Sequence, residues 1–361
     1  MNFVFLEAIT PWVMELAWRM SSHGNVVGLQ HYDIRSYRAL KPKLRPASAS
    51  FSERHSVYPP GFAGPFSPLF SPFIRNDVRR ARRQLSAGGE EPFVVCAYPY
   101  AAPWAREVPD DRLVYFNIDD YTLYFPHKAA AIEKLEDELI SRARLTLCVS
   151  SHQVRKFRSR HPDSAERILH FPLGVNVEYL NAAPETPPQP DTVGYVGNLG
   201  DRVDWAFAEE TILRTPELTY EFVGKRTGNE DDAWAQRRKR VFDLPNVRYL
   251  GPVPQSEVYI YYWRSAVNWM PYDTRHPFNI ACCPTKILDS LASGRSLVSS
   301  DLPECRNYPD YVQIAESPEA AADLLRKAVD RHDALDARAR RDFAATNTWV
   351  HRAERLSSLL Q

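Results

Sequence analysis

Glycine is scarce in this chain of 361 residues, which contains 14 glycines against 29 prolines. Neither GxGxxG nor GxxxxGK[ST] occurs, so the sequence lacks the usual dinucleotide-binding turn and the Walker phosphate loop. GxSxG is also missing, and with it the signature of the serine hydrolases. These absences exclude three common ways of building a nucleotide-binding or acyl-transfer site.

Metal-binding patterns are missing too. The sequence has no HExxH, no CxxC, no two histidines four residues apart and no Asp-x-Asp, the motif with which many sugar transferases hold a diphosphate through a divalent cation. We therefore expect no metal and no cofactor. An odd number of cysteines, five, in a chain long enough to bury a core without disulfides favours a reduced, cytoplasmic compartment.

Charge provides no global attraction to a polyanion, since 45 basic residues balance 45 acidic ones. We expect no nucleic-acid partner. We also expect no membrane-spanning segment, because no apolar run approaches the length of about 18 residues that one requires. Residues 51–83 are a local exception, with several aromatic residues followed by the basic run RNDVRRARR. This region is either a solvated insertion with a basic helix or a peripheral contact to the inner face of the membrane or to a lipid-linked acceptor.

From residue 113 onward, short β-rich runs alternate with stretches of helical period, a pattern typical of a parallel sheet covered by helices. Residues 113–118 predict a buried strand, and the helix after Pro126 is expected to turn Glu133, Glu136, Asp137 and Glu138 to solvent. The segment 182–190, AAPETPPQP, predicts a linker because four prolines in nine residues permit neither helix nor central strand.

Behind this segment the alternation restarts, with strands predicted at 192–196 and 219–223 and a solvated basic helix face at RRKR, residues 237–240. Both halves are therefore predicted to be doubly wound α/β domains.

Groups suited to binding phosphate collect in the second half. The run GYVGNLG leaves a predicted strand through Gly197, and a second strand ends in FVGKR. Pro284 suits the first turn of a helix, which places Lys286 near its positive end. A charge-assisted hydrogen bond there contributes about 1.5–3 kcal/mol. Each feature is equally compatible with ordinary turns and a surface lysine.

The segment from Trp269 to Glu304 resembles the donor-binding signature of GT-B glycosyltransferases, approximately PY, a polar loop, and P-x-K-x-x-E-Y-L-A-x-G-x-P-V-V-S. The matching residues are Pro271, Tyr272, Pro284, Lys286, Leu291, Ala292, Gly294 and Val298. YFNIDDY, CVSS and FPLGVNVEYL are similar to other runs of that superfamily. The likeness covers roughly Arg112 to the end of the chain.

The resemblance implies an α/β fold of GT-B type, with two doubly wound Rossmann-like domains facing a cleft and a C-terminal helix that crosses back to the first. The expected bounds are 1–181 for the acceptor domain, 182–190 for the linker, 191–345 for the nucleotide-sugar domain and 346–361 for the helix. The implied activity is a hexosyl-type glycosyltransferase of polysaccharide biosynthesis. It would move a sugar from a nucleotide-diphosphate donor to a glycan or lipid-linked acceptor.

Donor-binding residues are also implied by the resemblance. They are Gly197, Asn198, Tyr272, Asn279, Thr285, Lys286 and Asp289. The strand end FVGKR adds Gly224, Lys225 and Arg226 as candidates, and Arg202 is a further cation for the diphosphate. In this scheme Lys286 and the amides near Thr285 hold the diphosphate, and Asp289 stands where relatives have a glutamate that contacts the ribose. Tyr272 and Asn279 would line the base or sugar pocket.

Ala281 occupies the position where retaining relatives carry a second acidic residue, which favours an inverting transfer. Such a transfer needs a base for the acceptor hydroxyl, a role that contributes about 10²–10⁴ in rate. Asp120 is the first candidate and Asp119 the second, since both follow a predicted buried strand; alternatively, one of them caps the next helix. Glu7, after the first strand, is a further candidate.

Two other functions fit the same fold. A sugar-nucleotide epimerase would need no acceptor, and a non-catalytic GT-B binding or scaffold protein would bind a donor without turning it over. The shortened Asp289 keeps the second of these open.

Overall fold

The computed structural model describes residues 1–59, 70–181, 187–330 and 334–361. The chain divides into two compact units. Unit 1 consists of Met1–Leu173 and Trp349–Gln361, and unit 2 of Gly174–Thr348. Unit 2 thus begins ahead of the predicted linker 182–190, of which residues 182–186 lie outside the described residues.

Unit 1 is built on a parallel sheet of seven described strands in the order β3-β2-β1-β4-β5-β6-β7. The strands are β1 (Phe3–Leu6), β2 (Val26–Asp33), β3 (Phe51–Tyr58), β4 (Phe93–Cys96), β5 (Leu113–Asn117), β6 (Leu145–Cys148) and β7 (Ile168–His170). The helices before the second unit are α1 (Pro11–Met20), α2 (Ile34–Leu40), α3 (Ser71–Leu85), α4 (Tyr121–Tyr124), α5 (Ala129–Arg142) and α6 (Ser151–Arg160). Every residue of β1, β4 and β5 is buried, as expected of parallel strands covered on both faces.

Unit 2 contains a second parallel sheet, of six described strands in the order β10-β9-β8-β11-β12-β13. Its strands are β8 (Thr192–Val196), β9 (Thr219–Val223), β10 (Val247–Gly251), β11 (Val267–Met270), β12 (Ser296–Ser300) and β13 (Val312–Ala315). Its helices are α7 (Val177–Asn181), α8 (Trp205–Arg214), α9 (Ala233–Phe242), α10 (Val258–Arg264), α11 (Pro277–Ala281), α12 (Lys286–Ala292), α13 (Pro318–Asp330) and α14 (Ala334–Ala345).

The C-terminal helix α15 (Trp349–Leu360) returns to unit 1, where it packs on α1. Nε of Arg352 in this helix donates a 2.6 Å hydrogen bond to the carbonyl of Pro172. Trp349 and Leu356 are buried. Within the four described ranges, no helix is long and apolar enough to cross a membrane.

Each sheet has one topological switch point, at which the chain leaves a central strand to one side and later returns to the other. In unit 1 this point lies between β1 and β4, and in unit 2 between β8 and β11. Open parallel sheets bind ligands at such points, beyond the carboxyl ends of the strands. The topology therefore predicts that the residues after β1 and β8 bind ligands.

Two sequence-based expectations about the elements were wrong. Glu136 is fully buried rather than solvent-facing, because its carboxylate accepts a 3.0 Å hydrogen bond from the Tyr115 hydroxyl inside unit 1. Arg238, expected on a solvated face, is buried and donates to the carbonyl of Thr227 at 2.9 Å. In residues 51–83, for which the sequence predicted only the basic helix, the structure also has strand β3, which pairs with β2 along its whole length.

Candidate functional site

Two glycines bring backbone close together at the switch point of unit 2. Gly197 follows β8 with a φ of 149°, and Gly224 follows β9 with a φ of 143°, so both favour glycine. A Cβ on Gly224 would collide with the carbonyl of Gly197, whose carbonyl carbon would lie 2.7 Å away. The amide of Gly197 donates to the carbonyl of Val223 at 2.8 Å. Only glycine permits this approach of the two strand ends.

Lys286, the first residue of α12, lies directly against this turn. A Cβ on Gly197 would collide with its Nζ and would lie 2.6 Å from its Cε. Nζ donates a 2.6 Å hydrogen bond to the phenol oxygen of Tyr272 and lies 5.5 Å from the ring centroid of Tyr195. The ammonium is therefore fixed at the carboxyl end of β8 by one hydroxyl and two aromatic rings.

A second cation, Arg202, approaches Tyr272 from the segment after β8. Its guanidinium carbon is 5.4 Å from the Tyr272 ring centroid, and its Nε donates to Oδ1 of Asn279 at 2.8 Å. Asn279 is fully buried, and its Nδ2 donates to the carbonyls of Arg202 and Asp273 at 2.8 and 2.9 Å. Both ends of the Asn279 amide thus bind the protein, and the contacts of this residue hold Arg202 in place.

Asp289 lies one turn along α12 from Thr285, whose carbonyl accepts from the Asp289 amide at 3.0 Å. Removal from water raises the pKa of the Asp289 carboxyl to about 7, although Lys286 and a hydrogen bond with Thr285 act in the opposite direction. This carboxyl is thus partly protonated near neutral pH, which makes it able to donate as well as accept a hydrogen bond.

The remaining predicted donor-site residues are exposed. Asn198 accepts a 2.8 Å hydrogen bond from the Tyr195 hydroxyl through its backbone carbonyl. The carbonyl of Lys225 accepts from the amide of Leu199 at 2.9 Å. The guanidinium of Arg226 lies 4.4 Å from the ring centroid of Tyr249. These residues surround the strand ends where Gly197 and Gly224 meet.

The sequence analysis missed Tyr195. This residue lies within GYVGNLG, where it reads as an apolar strand residue, and the structure places its ring beside both Lys286 and Tyr272. Burial, together with the neighbouring Tyr272, raises the pKa of the Tyr195 hydroxyl well above its usual value of 10. Its hydroxyl therefore stays protonated and donates to the Asn198 carbonyl.

Asp120 and Asp119 lie in unit 1, immediately beyond β5. Asp120 is the N-cap of α4: its Oδ1 accepts from the Thr122 amide at 3.1 Å, and its Oδ2 accepts from Nζ of Lys156 at 2.7 Å. Oδ1 of Asp119 accepts from the Asp120 amide at 2.9 Å, and its Oδ2 accepts from the Tyr124 hydroxyl at 2.6 Å. These contacts match the capping alternative.

Glu7 also lies in unit 1, beyond β1, where it is buried and its carboxylate contacts Nδ1 of His31. Across the described ranges, no three histidine, cysteine, aspartate or glutamate side chains are grouped so as to hold a metal ion.

The chain is similar in sequence to glycosyltransferases. Residues 205–358 match a family described as glycosyl transferase-like. TuaH of Bacillus subtilis, which is named for a glycosyltransferase role in teichuronic acid biosynthesis, is 24% identical over 230 residues. That match covers 60% of this chain and 57% of TuaH, so the chain spans little more than half the length of this relative.

Solved structures match over nearly the whole chain. HepE of Anabaena in complex with UDP has a TM-score of 0.69 at 14% identity and covers 100% of this chain and 99% of its own. Sucrose-phosphate synthase of Thermosynechococcus elongatus has a TM-score of 0.69 at 14% identity and covers 99% and 98%. These comparisons confirm the resemblance to the GT-B glycosyltransferases, and the two parallel α/β sheets are those of a GT-B fold.

Proposed function

We propose that this protein is a glycosyltransferase that uses a UDP-sugar as donor and a glycan or lipid-linked sugar as acceptor. The observation that carries the proposal is the ammonium of Lys286, held between the Gly197 turn and the Tyr272 hydroxyl at the switch point of unit 2. The UDP found in the HepE structure supports the choice of donor class. The name of TuaH, which refers to teichuronic acid biosynthesis, supports a glycan as the acceptor class.

In this proposal unit 2 stabilises the leaving diphosphate without an obligatory metal. An ammonium has three donors, so Lys286 can keep Tyr272 and still bind phosphate oxygens. Arg202 adds a second cation, and the closely packed glycines leave the backbone open to a phosphate. Preorganised charges of this kind stabilise the negative charge that develops as a diphosphate leaves. Inversion at the anomeric carbon stays a prediction from Ala281.

A thermal-shift screen of UDP-, GDP- and TDP-sugars tests the donor site directly, because a ligand that binds only the folded state raises the midpoint. We expect UDP and UDP-sugars to raise it for the wild type and Lys286→Ala to lose most of the rise. Lys239→Ala, which removes an exposed lysine of α9, is the matched control and should behave as wild type. Equal shifts for Lys286→Ala and the wild type would contradict the proposal.

Turnover separates the proposal from its rivals. Release of UDP that depends on an added sugar acceptor supports transfer. An isomerised sugar nucleotide formed from donor alone would identify an epimerase. Donor binding without turnover over many acceptors would identify a binding protein.

A further inference from the structure

The switch point of unit 1 carries an unusual residue. Glu7 follows β1 directly and has a φ of 60°, in the left-handed region that few residues other than glycine adopt. The other described non-glycine residues with positive φ, Lys41 and Asp191, are exposed, whereas Glu7 is only 2% exposed. Strained backbone of this kind concentrates at functional sites, where the surroundings must hold it in place.

The Glu7 carboxylate belongs to a cluster assembled from three elements. Its Oε1 contacts Nδ1 of His31 in β2, and Nε2 of His31 is 3.6 Å from Oδ2 of Asp77 in α3. That separation is too long for a hydrogen bond, so the contact of the buried Nε2 with Asp77 is an ion pair. Asp77 also accepts a 2.8 Å hydrogen bond from the Ser56 hydroxyl of β3.

His31 is cationic in this setting. Burial by itself lowers the pKa of its imidazole, but Glu7 and Asp77 outweigh that effect and raise the pKa to about 9. An imidazolium between two carboxylates fixes the orientation of the Glu7 side chain, as second partners do in acid–base sites generally.

The carboxylate of Glu7 has fewer polar contacts than the carboxylates of Asp120 and Asp119, the other two candidate bases. Asp120 is committed to Lys156 and Thr122, and Asp119 to Tyr124 and a backbone amide. Within the described part of the chain, the carboxylate of Glu7 has the single partner His31. A base must have an oxygen that can accept the proton, which favours Glu7.

Apolar side chains lie next to Glu7 along the chain. Ile9 and Trp12 are 37% and 38% exposed, and the ring of Trp104 lies 5.8 Å from that of His31. Exposed apolar side chains in the residues that follow Glu7 suit a sugar, which presents C–H faces as well as hydroxyls. Ligand sites in general combine an apolar lining with a few placed polar groups.

We propose that Glu7 is the catalytic base of the acceptor site and that His31 and Asp77 are its positioning residues; this rests on the proposed function. The acceptor hydroxyl gives its proton to a carboxylate oxygen of Glu7. The acceptor oxygen forms a bond to the anomeric carbon of the donor while the bond from that carbon to the diphosphate breaks. The diphosphate leaves with the electron pair. The Glu7 side chain is 3% exposed in this structure, so the step requires the side chain to become accessible to the acceptor hydroxyl.

The test measures UDP release from UDP-glucose, UDP-galactose and UDP-N-acetylglucosamine with octyl glucoside and octyl galactoside as acceptors. Glu7→Gln should lower kcat at least 100-fold while the KM for the donor is unchanged. Glu7→Gly, which accepts a φ of 60° without strain, should lose kcat equally and regain part of it with added formate. His31→Gln should lower kcat about tenfold without a response to formate. Asp191→Gly, an exposed residue with a φ of 54°, is the matched control and should leave kcat unchanged.

Full turnover by Glu7→Gln, or no response of Glu7→Gly to formate, would overturn the assignment of Glu7. A 100-fold loss in Asp120→Asn with Glu7→Gln unaffected would move the base to Asp120. Calorimetric titration with UDP keeps the two proposals apart. A wild type that releases UDP from none of the three donors, or that binds UDP independently of Lys286, contradicts the proposed function and this inference with it.

Discussion

The ammonium of Lys286 donates a 2.6 Å hydrogen bond to the hydroxyl of Tyr272, fourteen positions earlier in the chain. Tyr272 follows the end of β11, and Lys286 begins α12. The parallel sheet therefore brings the two side chains together at its carboxyl edge. Since the hydroxyl fixes one direction of the ammonium, Tyr272 is expected to act on the donor through Lys286.

Tyr272→Phe keeps the ring under Lys286 and Arg202 but removes the oxygen that orients the ammonium. We expect UDP affinity to fall about fivefold, corresponding to about 1 kcal/mol for a single hydrogen bond. Isothermal titration calorimetry measures the affinity for UDP. Tyr220→Phe removes another buried hydroxyl of unit 2, one bonded to Thr215, and should bind UDP as wild type does. Unchanged affinity in Tyr272→Phe would show that the hydroxyl does not orient Lys286.

Gly197→Ala introduces a Cβ that collides with Lys286 and forces a side chain onto a φ of 149°. We expect a stability loss of about 1–2 kcal/mol from the backbone and, in addition, loss of most UDP binding. Gly251→Ala is the matched control, since its φ is 80° and a Cβ there would meet nothing within 4 Å. It should lose stability only. Urea denaturation and UDP titration separate the two effects, and equal UDP affinities for both variants would argue against the contact.

His31 makes stability depend on pH in a definite direction. Its pKa is raised from 6.5 to about 9 in the folded protein, so its stabilisation is complete below pH 6.5 and is lost as the pH rises through 9. His31→Gln should therefore cost on the order of 3 kcal/mol near pH 6 and much less near pH 10. Urea denaturation at several pH values measures the difference, with the exposed His127→Gln as control. A difference that did not change with pH would contradict the ion cluster.

The buried carboxyl of Glu136 also makes stability depend on pH. Here the variant Glu136→Gln is expected to become more stable than the wild type as the pH rises. Burial raises the pKa of its carboxyl from 4.5 to about 7, despite the opposing effect of Arg160. The contribution of Glu136 to stability is thus complete below pH 4.5 and is lost as the pH rises through 7. Glu136→Gln keeps an oxygen for the Tyr115 hydroxyl and does not ionise. Its stability relative to wild type should rise by on the order of 3 kcal/mol between about pH 4 and pH 8.

Glu133→Gln, on the exposed face of the same helix, is the control for Glu136→Gln and should show no such change. The comparison uses denaturant midpoints of the three proteins. A stability gap between Glu136→Gln and the wild type that stays flat from acid to neutral pH would mean that folding does not raise the pKa of Glu136.

The local pattern of apolar and turn residues was sufficient to predict most of the strands of unit 2 from the sequence. The structure gives Thr192–Val196 and Thr219–Val223 the bounds that the sequence predicted. These runs are short and β-rich, and turn residues follow them, so their extent is set by neighbours along the chain. Lys286 could be predicted as a donor-site residue for a similar reason. It lies two residues after Pro284, and this local spacing places it at the start of a helix.

Longer-range packing decided the rest. Strand β3 reads FSERHSVY, a polar run after a proline-rich stretch, and is a strand because β2 offers it a free edge. Glu136 has the spacing of a solvent-facing residue on α5, yet it is buried and accepts a hydrogen bond from the Tyr115 hydroxyl. Helical periodicity shows that a face exists but does not reveal which polar group on that face has a buried partner.

What the sequence by itself determined is the alternation of strands and helices, the GT-B resemblance and the identity of the cation at the start of α12. Only the tertiary structure decided that Tyr195 and Tyr272 flank Lys286, and that Glu7, His31 and Asp77 meet at the switch point of unit 1. The physical reason is that a strand or helix is encoded by adjacent residues. A site is encoded by the register of parallel strands, which joins residues that are far apart in the chain.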